Sequence, residues 1–362
     1  MQTMLAKIAD CAHGKMPYKS STHQKTQFFE STIIMIKYPS IEQFRHVIQQ
    51  ITNHTVNAPL PKLAFTGTVK LHGTHAGITY ELANNQLTVQ SRERVLNLKD
   101  DNAGFCAFVQ LHKPYIISVF HQMYSAAGLS PRSTLTVFGE WCGGNIQKNV
   151  ALNQLDKMFV VFDVLETRLD GTQKWHQSCI SYWHCADCHI YHAYLFPTRM
   201  IEIDFAQPQY AIDELTAITE AVEQECPVGK YFGVHGMGEG MVWTHYTDAE
   251  PYRFKVKGSK TQVSKTQNLA ALDVEQMANI AQFIAYALTE NRLQQAIDVM
   301  KANNMALEPK NLGFFIKWLH TDIQKEEADT IARNQLNTRI LASQINHVAR
   351  DWFFKHYNQG SF

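Results

Sequence analysis

Residues 66–77 (TGTVKLHGTHAG) constrain the fold most, because they set one lysine in a turn between two short apolar segments. The run Lys62–Val69 predicts a strand that ends at Lys70, and residues 76–82 predict a second strand that leaves the turn. Gly73 allows the backbone to bend, or to approach a ligand, where a side chain would clash. A lysine in such a turn can bind phosphate as a point charge or, once neutral, act as a nucleophile.

Composition and charge limit the classes of function that the chain can have. Its 362 residues can bury a sizeable core and indicate two domains. Acidic and basic residues balance to a net charge of zero, so any surface that binds phosphate must be local. Seven scattered cysteines are typical of free thiols in a reducing cytosol, and no apolar run approaches the roughly 18 residues of a membrane helix. We therefore expect a cytoplasmic protein with no membrane partner, and as a separate expectation we take it to be a monomer.

Hydrophobic periodicity predicts an α+β protein whose character changes near residue 260. Ser40 and Gln43 match a capping box for a helix over residues 41–51. Beyond the basic, polar link at residues 258–267 the pattern is mainly helical. Further strands are predicted at 86–91, 135–139, 158–165, 198–205, 240–246 and Tyr252–Lys257, and further helices at 103–127, interrupted by Pro114, and at 212–225.

Several charged or aromatic residues stand near the ends of the predicted strands. A nucleoside needs an aromatic platform for its base and a carboxylate for its ribose hydroxyls, which Phe162 and Glu140 can provide. A triphosphate with its metal needs cations and at least one carboxylate, and Lys255, Lys257 and Glu239 have that chemistry. We therefore expect the sheet to build a nucleotide cleft from Lys70, Arg92, Glu140, Phe162, Glu239, Lys255 and Lys257.

Five segments, in this order, resemble the motifs of the covalent nucleotidyltransferases, the superfamily of ATP-dependent ligases and mRNA capping enzymes. They are KLHGT from Lys70, FGEW from Phe138, FVVFD from Phe159, EGMV from Glu239 and FKVKGSK from Phe254. The chain most resembles the RNA ligase 2 family, in which a segment like residues 143–150 follows the third motif. The resemblance covers about residues 38–260 and continues more loosely over 290–324.

This resemblance implies an α+β fold in which a mixed or antiparallel-sheet nucleotidyltransferase domain, of the ATP-grasp-like ligase type, precedes a helical C-terminal domain. The two domains would span residues 1–262 and 263–362. The resemblance also implies an ATP-dependent RNA ligase that uses Mg²⁺ or Mn²⁺ and repairs nicked duplexes or broken RNA strands. Lys70 would form a lysyl-AMP and pass the AMP to an RNA 5′-phosphate, after which a 3′-hydroxyl would seal the strand.

The same resemblance assigns roles to residues position by position. Phe162 would stack on adenine, Glu140 would bind ribose, and Glu239 would hold the metal by ordering its water. Lys255 and Lys257 would hold phosphates. The catalytic set would therefore be Lys70, Glu239, Lys255 and Lys257.

The turn that carries the lysine departs from the family at two positions. Val69 precedes the lysine where related ligases often have an acidic residue, and His75 stands where they tend to have a small polar one. Both departures concern adenine recognition and not the lysine itself. We assign Val69, His72 and Gly73 to nucleotide binding, and His72 either acts on the phosphates or supports the turn.

Two assignments have a close competitor in the sequence. Arg92 is expected to contact the nucleotide and to position the strand end, and Arg94 is the alternative. Phe162 is favoured over Phe159 as the stacking residue because it directly precedes Asp163, as in the motif.

Residues 176–192 combine three cysteines with four histidines and allow two interpretations. A Cys-x-x-Cys pair such as Cys185 and Cys188 occurs in zinc sites, but the second pair at a fixed distance is missing. The segment also fits a helix with an apolar inner face, in which the cysteines would be ordinary core thiols.

Other functions share some of these motifs. A DNA ligase or a GTP-using capping enzyme would use the same lysine chemistry, but such enzymes normally append a β-rich domain where this chain is helical. A catalytically idle protein of the same fold could bind nucleotides or RNA, although binding alone does not require the nucleophile at Lys70.

Overall fold

The computed structural model describes residues 35–55, 58–258, 280–334 and 336–359. The domain boundary that the sequence predicts near residue 260 lies outside the described residues. No helix in these ranges is both long enough and apolar enough to cross a membrane.

Eleven strands of the described chain form two β-sheets. They are β1 (Glu42–Gln43), β2 (Lys62–Val69), β3 (Thr74–Glu81), β4 (Gln86–Ser91), β5 (Thr134–Cys142), β6 (Met158–Thr167), β7 (Gln173–Trp175), β8 (Ile190–His192), β9 (Arg199–Asp204), β10 (Gly240–His245) and β11 (Tyr252–Lys257). The first sheet has the order β1-β11-β10-β2-β9, and the second has the order β4-β3-β5-β6-β7 with β8 beside β6. Pairing is antiparallel except for β1 with β11 and β6 with β8, so the predicted mixed α+β architecture is confirmed.

Nine α-helices lie within the described ranges. They are α1 (Phe44–His54), α2 (Phe105–Leu111), α3 (Lys113–Ala126), α4 (Ile212–Gln224), α5 (Pro227–Tyr231), α6 (Ile280–Ala287), α7 (Glu290–Ala302), α8 (Leu312–Arg333) and α9 (Thr338–Gln359). Helices α1 and α4 pack on the first sheet, and α2 and α3 share a core with the second. The last four helices have a hydrophobic core of their own, which includes Phe283, Leu293, Phe315 and Phe353.

Strand β6 separates the two sheet cores, because successive side chains of a strand point to opposite faces. Phe159 and Val161 belong to the core shared with α2 and α3. Met158 and Val160 belong to the core of the first sheet. The predicted stacking residue, Phe162, is partly buried against the core of the first sheet and lines the open cleft.

The C-terminal helices contact the sheet region through polar groups. The guanidinium group of Arg94 donates to the carbonyl oxygen of Ala302 at 2.6 Å. The side-chain amide of Gln43 donates to the carboxylate of Glu326 at 2.7 Å. The described residues from Met35 onward accordingly belong to one compact unit, in which α8 and the sheets line the same cleft.

Several sequence predictions about element ends are wrong. Helix α1 begins at Phe44, and its N-cap Gln43 makes no capping hydrogen bond, because Glu42 and Gln43 instead pair with β11. Strand β5 continues to Cys142, so Glu140 lies inside a strand and not at its end. Phe162 and Lys255 also lie within strands.

Candidate active site

The carboxylate of Glu239 lies at the centre of the candidate site and contacts three basic side chains. Its Oε2 atom is 2.6 Å from Nζ of Lys70 and 3.2 Å from Nδ1 of His72. Its Oε1 atom is 3.0 Å from Nζ of Lys257. The structure therefore brings together four of the residues that the sequence assigned to the nucleotide site.

Strand pairing explains why residues so distant in sequence meet at this point. Strand β10 pairs with β2 on one side and with β11 on the other, which places Gly240 opposite Lys257. The backbone N–H of Lys70 donates to the carbonyl oxygen of Gly240 at 2.8 Å. Glu239 directly precedes β10, so its side chain lies between the ends of β2 and β11.

The charges at this centre oppose one another and shift the ionisation of the lysine. Burial lowers the pKa of Lys70, and the charge of Lys257 lowers it further against the opposing effect of Glu239. Burial works against ionisation of Glu239, but Lys257, Lys70 and His72 outweigh it and hold the pKa of that carboxyl well below its usual range. Lys70 therefore becomes a neutral amine more readily than an exposed lysine, while Glu239 stays ionised.

Gly73 brings the turn after Lys70 into contact with Glu140. The N–H of Gly73 donates to the carboxylate of Glu140 at 2.9 Å. A Cβ atom at Gly73 would collide with the backbone of Trp141 and with Cys142, so a side chain here would push the turn away from β5. Burial raises the pKa of Glu140 to about 7, although Lys70 opposes that shift.

The two members of each competing pair lie in different surroundings. Phe162 lines the cleft, whereas Phe159 is fully buried in the core. Arg92 lines the cleft, whereas Arg94 binds Asp100 at 3.1 Å. Arg94 thus holds a loop in place, and Arg92 is the arginine that a ligand can reach.

A cleft of about 1310 Å³ connects these residues. The two sheets form its floor, and helices α7 and α8 contribute to its wall. Its lining includes every residue that the sequence assigned to nucleotide binding: Val69, Lys70, His72, Gly73, Arg92, Glu140, Phe162, Glu239, Lys255 and Lys257.

Comparison with known proteins places the chain in a family. The model of the family described as RNA ligase matches residues 64–257, which is more than half of the 362 residues. The chain belongs to the RNA ligase family. The matched range starts in β2, ends at Lys257 and thus contains all ten residues just named.

Solved structures of a Naegleria gruberi RNA ligase are similar to this family member. A mutant of that ligase with ATP and Mn is 18% identical with a TM-score of 0.42, and the match covers 62% of this chain and 56% of that one. The same ligase with PPi is 18% identical with a TM-score of 0.41, over 62% and 56% of the two chains. This chain thus spans little more than half the length of those ligases. No curated protein sequence matches it.

Lys255 is held by an acidic residue that no sequence motif marks. Its ammonium group is 2.8 Å from a carboxylate oxygen of Glu326 on helix α8. Lys255, Gln43 and the neighbouring cations lower the pKa of Glu326 to about 2, although its burial opposes that shift. Glu326 lies in a helix with ordinary amphipathic spacing, so no local motif marks it, and only the packing of α8 over the cleft places it here.

Asp163 forms a second buried centre behind Phe162. It accepts hydrogen bonds from Tyr38 at 2.5 Å and Tyr246 at 2.7 Å, and Arg253 binds it at 3.0 Å. Burial, and the charge of Asp163, raise the pKa of Tyr246 well above its usual value, so the hydroxyl stays protonated. This network fixes the strand that carries Phe162, and its tyrosines lie outside every motif found in the sequence.

His75, the second departure from the family pattern, lines the cleft beside the aromatic side chains. Its ring lies 5.3 Å from the ring of Tyr38 and 5.9 Å from that of Phe162, measured between centroids. Burial and the charge of Arg92 lower the pKa of His75 to about 3, so the imidazole is neutral.

The cysteine- and histidine-rich segment 176–192 is not an α-helix. It forms short 3₁₀ turns at Gln177–Tyr182 and Ala186–Cys188, followed by strand β8, and its apolar residues fill the core of the second sheet. Cys185 and Cys188 form a disulfide with each other and are therefore not core thiols. The described residues contain no group of three or more histidine, cysteine or acidic side chains that could hold a metal ion.

Proposed function

We propose that this protein is an ATP-dependent RNA ligase that joins a 3′-hydroxyl end to a 5′-phosphate end in RNA repair. The nucleotidyl transfer would take place in a domain formed by residues 1–262, and residues 263–362 would form a helical domain over the cleft. One observation carries the proposal. Lys70 lies in a partly buried contact with Glu239, beside Lys257, in a cleft that also contains an aromatic side chain and a second carboxylate.

In the first step, the neutral amine of Lys70 attacks the α-phosphorus of ATP. A P–N bond forms, the bond between the α-phosphorus and the bridging oxygen breaks, and pyrophosphate leaves. The proton of the lysine is lost to water, and the lowered pKa of Lys70 favours that loss. Glu239, 2.6 Å away, holds the amine in place, and Lys257 and Lys255 offset negative charge as it builds up on the phosphates.

In the second step, an oxygen of the RNA 5′-phosphate attacks the same phosphorus. The P–N bond breaks, Lys70 recovers its amine and takes a proton from water, and the RNA carries AMP through a P–O–P bond. In the third step, the 3′-hydroxyl attacks the phosphorus of the former 5′-phosphate, AMP leaves and the hydroxyl proton passes to water. The same cations serve all three steps because each step is a displacement at phosphorus whose transition state spreads negative charge over phosphate oxygens.

The residues of the cleft fit ATP and a divalent ion that arrives with it. Phe162 offers a ring for adenine, and Glu140 an acceptor for ribose. Glu239 already contacts three basic groups, so a metal here would be held mainly by phosphates and water, with Glu239 as the nearby carboxylate. A bound Mg²⁺ or Mn²⁺ would neutralise part of the charge on the phosphates.

Covalent labelling tests the first step directly. Protein incubated with ATP labelled at the α-phosphate and with Mg²⁺ should become labelled, and Lys70→Ala should stay unlabelled. Lys62→Ala is a matched control, because Lys62 lies on the same strand in an exposed pair with Asp204. Labelling of Lys70→Ala would exclude the proposed nucleophile, and equal labelling from GTP would favour a capping enzyme.

Joining assays test the substrate. Nicked duplex RNA and single-stranded RNA should be compared side by side, each with a 5′-phosphate or a 5′-hydroxyl end. We expect sealing only when the 5′-phosphate is present. Efficient sealing of an all-DNA 3′ strand would favour a DNA ligase, and labelling without any sealing would contradict the ligase assignment.

A further inference from the structure

One face of helix α8 forms the part of the cleft wall that contains Lys325. The residues of that face follow a helical spacing of three or four, and they include two lysines and two aromatic side chains. Arg92, directly after the end of β4, lines the same cleft and is half-exposed. The lining residues of α8 are Phe314, Lys317, Trp318, Thr321, Asp322, Lys325 and Glu326.

The acidic neighbour of Lys325 is already engaged. Glu326 binds Lys255 at 2.8 Å and accepts a hydrogen bond from Gln43 at 2.7 Å. Glu42, the other carboxylate whose charge acts on Lys325, binds His46 at 2.9 Å. No carboxylate in the described part of the chain lies within ion-pair distance of the Lys325 ammonium group.

Two other cations that line the cleft, Lys255 and Arg92, interact electrostatically with Lys325. Burial lowers the pKa of Lys325, and the charges of Lys255 and Arg92 lower it further against the opposing effect of Glu326. A cluster of cations that repel one another is stabilised by an anion placed among them. Nothing in the sequence motifs includes Lys325, because it lies about 65 residues beyond the last of them.

We propose that Lys325 and Arg92 bind the 5′-phosphate of the RNA strand, so that the helical C-terminal region supplies a cation to the active site. This inference rests on the proposed ligase function. A terminal phosphate carries close to two negative charges and suits a guanidinium group together with an ammonium group. The phosphates of ATP have their own cations in Lys70, Lys255 and Lys257, which leaves this pair for the second phosphate that the reaction needs.

Binding of short RNA strands gives a readout that does not depend on catalysis. Fluorescence anisotropy should compare one labelled RNA strand with a 5′-phosphate or a 5′-hydroxyl end, with no ATP present. The unmodified protein should prefer the phosphorylated strand, and Lys325→Gln should reduce that preference about tenfold. Lys325→Arg should restore most of it, since a cation is kept at the same place.

Transfer assays connect the site to the reaction. In Lys325→Gln, the ratio of AMP transfer onto 5′-phosphorylated RNA to lysyl-AMP formation should fall about tenfold. Lys310→Gln is the matched control, because Lys310 is an exposed lysine close to the start of α8 that pairs with Glu308 away from the cleft. It should leave both the strand preference and the ratio unchanged.

Each result supports or overturns the inference. Equal preference for the phosphorylated strand in Lys325→Gln and in the unmodified protein would overturn it, and so would an equal loss in Lys310→Gln. A failure of the proposed function would look different. The unmodified protein would then form no lysyl-AMP, while the anisotropy experiment would still show whether Lys325 binds a terminal phosphate.

Discussion

Two buried carboxylates, Glu239 and Asp163, have the same burial but different partners. Each is only 3% exposed, and each contacts three polar side chains. Glu239 contacts two lysines and a histidine at the open cleft. Asp163 contacts two tyrosines, which burial keeps protonated, and one arginine that is itself buried.

The difference shows that a buried carboxylate is not in itself a sign of catalysis. The partners of Asp163 have no group that ionises near neutral pH, and the ring of Trp175 lies 4.3 Å from the Arg253 guanidinium carbon. The partners of Glu239 include an amine whose pKa is lowered and which a ligand in the cleft can reach. We therefore propose that Asp163 serves stability and that Glu239 serves the chemistry.

The largest expected effect is on stability, at Asp163. Asp163→Asn should lower the free energy of unfolding by about 3–5 kcal/mol, because it leaves a buried arginine without its counter-charge. Denaturant unfolding monitored by circular dichroism measures this change. Asp248→Asn is a control at an exposed position and should cost less than about 0.5 kcal/mol. A loss of labelling in Asp163→Asn with unchanged stability would contradict the distinction between the two centres.

Glu239→Gln should act mainly on the reaction. Lysyl-AMP formation should fall by about 10²–10³-fold, since the ionised side chain no longer holds Lys70 and Lys257. The loss of stability should be smaller than at Asp163, because the side chains of Lys70 and His72 are 21% and 31% exposed and keep contact with water. Single-turnover labelling and unfolding of the same preparations measure both effects. Glu250→Gln changes an exposed residue in the adjacent β10–β11 connection and should alter neither lysyl-AMP formation nor stability.

Phe162 and Phe159 test whether the aromatic wall of the cleft contacts the base. Phe162→Leu should raise the ATP concentration for half-maximal labelling about tenfold, as expected for lost base stacking. Phe159→Leu should lower stability instead, because that ring is in the core. Equal ATP requirements in the two variants would remove Phe162 from the nucleotide site.

The last expected effect is a pH dependence at Glu140, about as large as the change at Phe162. Its pKa of about 7 means that the carboxylate is largely protonated at pH 6 and largely ionised at pH 8. The ATP requirement of the unmodified protein should therefore rise about tenfold as the pH falls from 8 to 6. The side chain in Glu140→Gln cannot ionise, so this variant should bind ATP weakly and its ATP requirement should stay nearly constant with pH. The variant also controls for the titration of ATP itself. Parallel pH profiles of the two proteins would contradict the ribose role.

The fold and the centre of the site could be predicted well from the sequence. Strand β11 has the predicted bounds, and Lys70, Glu239 and Lys257 meet as expected, because motifs at strand ends meet when those strands are neighbours. The partners from distant segments could not be predicted. Glu326 and Tyr38 lie in segments with no motif, and only tertiary packing brings them to Lys255 and Asp163.

Short-range patterns failed where long-range contacts outweighed them. Gln43 fits a capping box, but its backbone pairs with β11 and its side chain binds Glu326. Residues 176–192 have helical spacing, yet they form turns and a strand, because β8 pairs with β6 and its neighbours fill the adjacent core.

The account depends most on Lys70 as the residue that receives AMP, and peptide mapping by tandem mass spectrometry tests this directly. After incubation with ATP and Mg²⁺, the account predicts one adenylylated residue, Lys70. AMP on Lys255 or Lys257 with Lys70 unmodified would contradict it.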